Sequence, residues 1–321
     1  MGEAGMGQDV PRRRKEGRGK DGLPAGEAGL GQDVPRTGET GQRPQGVLYL
    51  CATPIGNLED ITLRVLRILR EADLIAAEDT RHTLKLLNHF GIKTALTSYH
   101  KFSGDTKAEH LIRLLAEGKS IALVTDAGTP SISDPGEGLV RRCVEEGIPV
   151  TTLPGPCACI AALTLSGMGS ARFCFEGFLP TPKRERAQTL DALRCEERTA
   201  VLYEAPHRLG KTMQELAASL GARRVAVCRE LTKIHEAVFR GTLPEAAAYY
   251  GGQDVKGECV IVLEGVTRAA MEEEKRKAWE TLTVEEHLAM YLAKGMARKE
   301  ALKLVAQDRG VSKRDIYNAL I

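Results

Sequence analysis

The chain has 321 residues, 42 % of them hydrophobic, and its 45 basic and 43 acidic side chains leave a formal net charge of +2. That length exceeds one typical domain and supplies apolar material for more than one core. A molecule so nearly neutral is no polycation, so any nucleic-acid contact must come from a local patch or from shape.

Residues 1–46 hold few bulky apolar side chains and repeat GEAGMGQDVPR (2–12) as GEAGLGQDVPR (26–36). Such a segment cannot bury enough surface to offset its ordering entropy, which predicts a disordered extension. Its run Arg12-Arg13-Arg14-Lys15 reads as a solvated charge cluster or a weak RNA contact. From Val47 the pattern changes to strands alternating with amphipathic helices: strand 47–51, helix 61–72, strand 74–77, helix 83–90, strand 96–99, helix 108–117, strand 121–125, helix 137–146 and strand 150–153. This alternation predicts a mostly parallel, helix-covered sheet in an amino-terminal α/β domain, 47–156.

A second α/β domain, 157–266, opens with a helix at 158–165. Strands are expected at 173–178, 199–203, 223–228, 237–240 and 258–263, with helices near 184–194, 207–219 and 244–250. Two successive strands without an intervening helix, around 223–240, predict a mixed sheet. The tail, 267–321, starts with a charged linker at Met271–Lys277. It continues as helices at 284–293, 298–307 and 313–320, punctuated by Gly295 and Gly310 and with Ser312 as a cap. Its last two helices have helix-turn-helix form, which serves RNA contact or subunit docking.

No apolar run reaches the length of a membrane span and the first residues lack the apolar core of a secretory signal, so a cytoplasmic location with no membrane partner is expected. Cysteines at 51, 143, 157, 159, 174, 195, 228 and 259 form no C-x-x-C pair, and Cys157-Ala-Cys159 has the wrong spacing for a zinc knuckle; buried reduced thiols and no metal site are expected. The sequence contains no G-x-x-x-x-G-K-[ST], no G-x-G-x-x-G after the first strand, no H-E-x-x-H and no G-x-S-x-G. A P-loop enzyme, a conventional dinucleotide fold, a zinc hydrolase and a serine hydrolase are thereby unsupported.

What is present is a set of polar or Gly/Pro-rich loops, each at the carboxyl end of an expected strand: ATPIGNLEDI (52–61), AEDTRHT (77–83), TDAGTPSISDPG (125–136), LPGPCA (153–158) and YEAPHR (203–208). Loops at corresponding ends of neighbouring strands converge on one rim, where open α/β sheets bind ligands. The longest of them, 125–136, offers acceptors and hydroxyls at Asp126, Thr129, Ser131, Ser133 and Asp134 on a backbone set by Gly128, Pro130, Pro135 and Gly136.

These loops, together with RELTKIHE (229–236), resemble those of the tetrapyrrole methylase superfamily, the class III S-adenosylmethionine (SAM) dependent methyltransferases, over Val47 to about Gly265. The resemblance implies two α/β domains with a SAM cleft between them, a small C-terminal helical domain and a homodimer. Within the superfamily the loops resemble the branch that methylates a 2′-hydroxyl of a cytidine in the decoding region of 16S rRNA, with the 30S subunit as partner. Cofactor contacts are then expected from Pro54, Asp126, Gly128, Thr129, Ser131, Ile132, Pro156, Cys157, Ala158 and Tyr203. No metal is required.

Transfer to an alcohol oxygen needs alignment of the hydroxyl and removal of its proton. Glu78 and Asp79, after a buried strand, are candidates for the base or for orienting the ribose, with Arg81 placing a phosphate beside them. Arg208, Arg229 and Lys233 are candidates for holding RNA phosphates. The acidic groups could instead only pair with these cations. Two other readings stay open: a tetrapyrrole or diphthine-type methyltransferase of the same superfamily, and a nonenzymatic ribosome-assembly factor that binds RNA. From composition, a chain beginning at Gln45 should keep the melting temperature and methylation rate of the full chain. Loss of either would show that the extension docks on the folded body.

Overall fold

The computed structural model describes residues 46–100, 104–134 and 136–320. The expected extension, with its basic run, lies outside these except for Gly46, which is buried and donates its N–H to the Leu115 carbonyl at 2.8 Å.

The first sheet contains β1 (Leu48–Cys51), β2 (Leu74–Ala77), β3 (Leu96–Ser98), β4 (Ile121–Val124) and β5 (Val150–Leu153), in the order β3-β2-β4-β1-β5 and parallel throughout. Its inner strands are short apolar runs because helices cover both faces. On one face Val65, Ile68 and Leu69 of α1 (Leu63–Glu71) and Leu87 of α2 (Thr80–His89) pack on Tyr49, Cys51, Ile75 and Val124. On the other, α3 (Gly104–Ala116) and α4 (Glu137–Glu145) set Leu111, Leu115, Leu139 and Cys143 against Leu48, Ile121 and Leu123. The neighbours β1 and β4 therefore feed helices on opposite faces, and their loops part. That divergence is the topological switch point at which an open α/β sheet leaves a crevice.

Helix α2 begins three residues before the expected Thr83, because the Asp79 side chain accepts the N–H of Arg81 and caps it. Glu78, Asp79 and Arg81 are thus held at a strand-to-helix junction.

The second sheet has the order β6-β7-β10-β8-β9, from β6 (Phe173–Phe178), β7 (Thr199–Glu204), β8 (Arg224–Arg229), β9 (Ala237–Thr242) and β10 (Cys259–Leu263). Only β6 and β7 run parallel, which gives the mixed sheet expected. Alternation sorts its side chains. Leu202, Val225, Val227 and Ile261 join α6 (Lys183–Arg194), α7 (Pro206–Leu220) and α8 (Leu243–Tyr250) in one core. Val201, Ala226, Cys228 and Val260 meet α5 (Ala158–Ser166), and Ile55 from the loop after β1 enters that same cluster. The α5-covered face is accordingly the one that meets the first sheet's rim.

The tail is entirely helical: α9 (Arg268–Glu280), α10 (Val284–Ala293), α11 (Arg298–Asp308) and α12 (Lys313–Ala319). The linker expected at Met271–Lys277 is therefore corrected to helix. Thr267 caps α9 through the Ala270 N–H, and Glu273 reaches Arg276 at 2.7 Å and Lys277 at 3.8 Å, so charge pairing along the helix stands in for a strong apolar pattern. Ser312 caps α12 as expected, in a reciprocal box with Asp315. Leu288, Leu302, Val305 and Ile316 form the tail's own small core.

Candidate active site

The loops after β1, β2, β4, β5 and β7 meet between the two sheets around a cavity of about 370 Å³. A second cavity, about 460 Å³, shares Ile55, Asp126, Ala127 and Glu258 with it and extends between Pro54, Leu58 and the first turns of α2. Both lie in the size range of small-molecule sites, roughly 300–1,000 Å³.

Backbone constraints define the shape. Thr53 and Gly128 exchange two hydrogen bonds, 2.9 and 3.0 Å, across the crevice between β1 and β4, and the Thr129 hydroxyl donates to the Pro156 carbonyl at 3.1 Å. Gly128 has φ +81°, a conformation that side chains disfavour. Among the described residues the non-glycine positions with positive φ are Ser131, Ser133, Glu230 and Thr232, all in the two loops beside these cavities. For β-branched Thr232 this is a true outlier, held because its N–H bonds Glu236 at 2.7 Å and its hydroxyl accepts the Asn57 N–H at 3.0 Å.

The structure brings Asp126, Gly128, Thr129, Ile132, Cys157, Ala158 and Tyr203 to the first cavity. Pro54 lines the second cavity. Pro156 contributes through its carbonyl. Ser131 has a buried hydroxyl with no hydrogen-bond partner among the described residues, close to the position a Cβ on Gly136 would take. Cys157 and Cys159 stand 3.4 Å apart, and the hydrogen bond from Cys159, with N–H groups at the start of α5, holds the Cys157 thiol below its ordinary range.

The carboxylates are unequally satisfied. Glu204, fully buried, accepts from the Thr212 hydroxyl (2.6 Å) and the Ala205 N–H (2.9 Å) and pairs with Arg208 at 3.1 Å. Asp79 is claimed by Arg81 at 2.8 Å, which holds it well below the usual carboxylate range. Asp126 accepts the Asp79 N–H at 3.1 Å; Glu78 accepts the Asp126 N–H at 3.4 Å and is raised chiefly by burial. Lys233 bridges Glu230 and Glu258 at 2.9 and 3.2 Å. Asp134, by contrast, lines the cavity with no cation or N–H on it among the described residues; it meets the Thr125 hydroxyl and the like charges of Glu78, Asp126 and Glu258. Burial first, and then the charge of Glu78, push it up to about 7. Sequence reasoning placed Asp134 in the loop without singling it out. It also passed over the cavity residues Phe178 and Val260, because nothing local marks a strand residue as facing another sheet, and Glu258, which directly precedes β10.

Arg81 is 88 % exposed at its side chain and, among the described residues, is held by Asp79 alone, whereas Arg208 spends its guanidinium on Glu204 and the Leu179 carbonyl. Arg229 ends β8 beside the strained loop.

The sequence profile described as Tetrapyrrole (Corrin/Porphyrin) Methylases matches residues 47–247. The chain belongs to the tetrapyrrole methylase family. Among curated relatives, a protein of Halalkalibacterium halodurans named ribosomal RNA small subunit methyltransferase I is 50 % identical over 274 residues, covering 85 % of this chain and 94 % of that one. A protein of the same name from Escherichia coli O157:H7 is 46 % identical over 276 residues, covering 85 % of this chain and 94 % of that one. Another, from Thermotoga maritima, is 46 % identical over 220 residues, 68 % of this chain and 99 % of its own. Diphthine synthase shares the fold, with a TM-score of 0.53 at 16 % identity over 71 % of this chain and 94 % of that one. Cobalt precorrin-4 methyltransferase does so at 0.52 and 18 %, over 68 % and 94 %. Family membership makes the chain a methyltransferase of the class III fold. Among the described residues no His/Cys/Asp/Glu group could hold a metal ion and no helix is long and apolar enough to cross a membrane.

The contrast between the two arginines is testable by thermal and denaturant unfolding. Arg208→Ala strands the buried Glu204 charge and should cost about 3 kcal/mol, the lower end for unpairing a buried ion. Arg81→Ala should leave the melting temperature unchanged, since its ion pair lies in solvent.

Proposed function

We propose that the protein is a SAM-dependent methyltransferase that transfers a methyl group to the 2′-hydroxyl of a cytidine in the decoding region of 16S rRNA. The observation that carries this reading is identity of 42–50 % to relatives named ribosomal RNA small subunit methyltransferase I, over nearly the whole length of each. The same reading takes the 30S subunit as partner, a homodimer as the working unit and the cytoplasm as compartment.

The cavity residues fit the cofactor. Its polar side presents Glu78, Asp126 and Asp134, whose negative charge suits a sulfonium, and its apolar side presents Ile132, Ala158, Tyr203 and Val260, which suit an adenine. Gly128 lets the loop backbone come close. SAM when bound supplies an activated methyl group; the protein's tasks are to align the hydroxyl and take its proton.

Asp134 is the group placed to take that proton. A base works best when its own pKa lies near the operating pH, and Asp134 is the cavity carboxylate that, among the described residues, has neither a cation nor an N–H on it. Glu78, which lines the cavity, orients the ribose; Asp79, which lines neither cavity, holds Arg81, and Arg81, free of the core, sets a flanking phosphate. Arg208, Arg229 and Lys233 add positive charge around the rim, Arg208 and Lys233 while also holding Glu204 and Glu230 in place.

The test is to incubate 30S subunits with the protein and labelled SAM and map 2′-O-methylation. A single modified cytidine in the decoding region is expected; label on another site, or none, overturns the reading. For Asp134→Asn, turnover at saturating SAM should fall by about 10²–10⁴, while S-adenosylhomocysteine, which carries no sulfonium charge, should bind as it does to the wild type. The wild-type rate should rise with pH along a limb that ends at or below about 7, because the sulfonium favours the ionised Asp134, and the variant should lose that limb. The folded-state pKa is raised, so wild-type stability falls as pH rises through about 7; Asp134→Asn should therefore be the more stable protein at pH 8, with the advantage gone near pH 4.

A further inference from the structure

Beyond the cleft, the facing sides of α6 and α7 enclose a groove of about 540 Å³. Lys183, Arg186 and Leu190 line it from α6, and Arg208, Lys211 and Glu215 from α7, at the three- and four-residue spacing of one helix face. Its charge is unbalanced. Glu215 is taken by Arg186 at 2.6 Å and stands 3.9 Å from Lys211, while Lys183 has no ion pair among the described residues. Lys183 is exposed, and the Lys211 side chain is 79 % exposed with only a long contact to a Glu215 that Arg186 already holds, so both can meet an anion.

The groove opens near the end of β6 and β7 from which the proposed active site is also built. Phe178 and Pro206 line the cofactor cavity, and the chain runs from each directly into the groove, through Leu179–Pro182 to Lys183 and along the first turn of α7 to Arg208. Arg208 is the shared wall: it pairs with Glu204, which lines the cavity, and donates to the Leu179 carbonyl at 3.3 Å. Arg186 holds the same connection through the Pro180 carbonyl at 3.4 Å. These two arginines keep the groove open, and the two lysines supply its unspent charge. Neither α6 nor α7 has a side-chain N-cap, so their free amide ends add to a field of the same sign.

We propose that this groove takes the phosphodiester backbone of the substrate RNA strand next to the reacting nucleotide. The inference rests on the RNA methyltransferase reading and names where the strand leaves the cleft.

The experiment compares the full-length protein with Lys183→Ala/Lys211→Ala and with Lys93→Ala/Lys119→Ala. The second pair precedes β3 and β4, at the opposite rim of the first sheet. For the groove variant, the slope of log affinity for 30S subunits against log salt should shrink by about 1.4 to 2, two phosphate contacts at 0.7–0.9 to 1 each. KM for 30S should rise several-fold, while kcat, S-adenosylhomocysteine affinity and melting temperature stay at wild-type values. The control pair should match the wild type throughout. An active wild type whose groove variant keeps the same salt slope and KM overturns the groove, as does a loss reproduced by the control pair or a loss of affinity for an acidic peptide only. A wild type that transfers no methyl to 30S subunits overturns the enzymatic reading, and the groove assignment with it.

Discussion

The two hydrogen bonds between Thr53 and Gly128 hold the site together. They span the point where β1 and β4, neighbours in the sheet, send their chains to helices on opposite faces, and without a tie those loops have no reason to stay in register. Everything else in the cleft is referred to this tie. Ile55, two residues from Thr53, reaches into the core under α5, and Thr129, next to Gly128, bonds the loop that opens α5. A short backbone bridge therefore sets the position of the second sheet's inner face against the rim of the first. The positive φ at Gly128 is part of the same geometry, and so is the strain at Ser131 and Ser133 farther along the loop.

Electrostatics divide the surroundings in two. The cleft is rich in carboxylates, which suits a cationic cofactor but opposes a polyanionic substrate, whereas the groove between α6 and α7 carries surplus lysine charge. On the proposed reading, an RNA strand would be drawn to the groove and present only one ribose to the acidic cleft. A formal net charge of +2 is compatible with this because the separation is local.

Much of this was legible in the sequence. The alternation of strands and helices, the parallel first sheet, the mixed second sheet and the convergence of five loops all followed from apolar periodicity and from where Gly, Pro and Asp punctuate it. Seven of the residues singled out for the cofactor line one cavity. What was not legible depends on partners distant in sequence. Arg208 reads as a free rim cation until Glu204 is seen buried beneath it, and Lys233 likewise until Glu230 and Glu258 are seen around it. Asp134 looked like one more loop acceptor, and only the pairing of its neighbours sets it apart. The charged stretch at 271–277 failed as a linker because its charges are spaced to pair along a helix.

The central claim is that the crevice between the β1 and β4 loops, closed by α5 and the end of β7, is the cofactor site. A crystal structure of the protein grown with S-adenosylhomocysteine and a chelator tests it most directly. The account predicts one ligand per chain, against Gly128, Cys157 and Tyr203, with Asp134 lining the same cavity and no metal beside it. Ligand density elsewhere on the chain, or binding that requires a divalent cation, would contradict it.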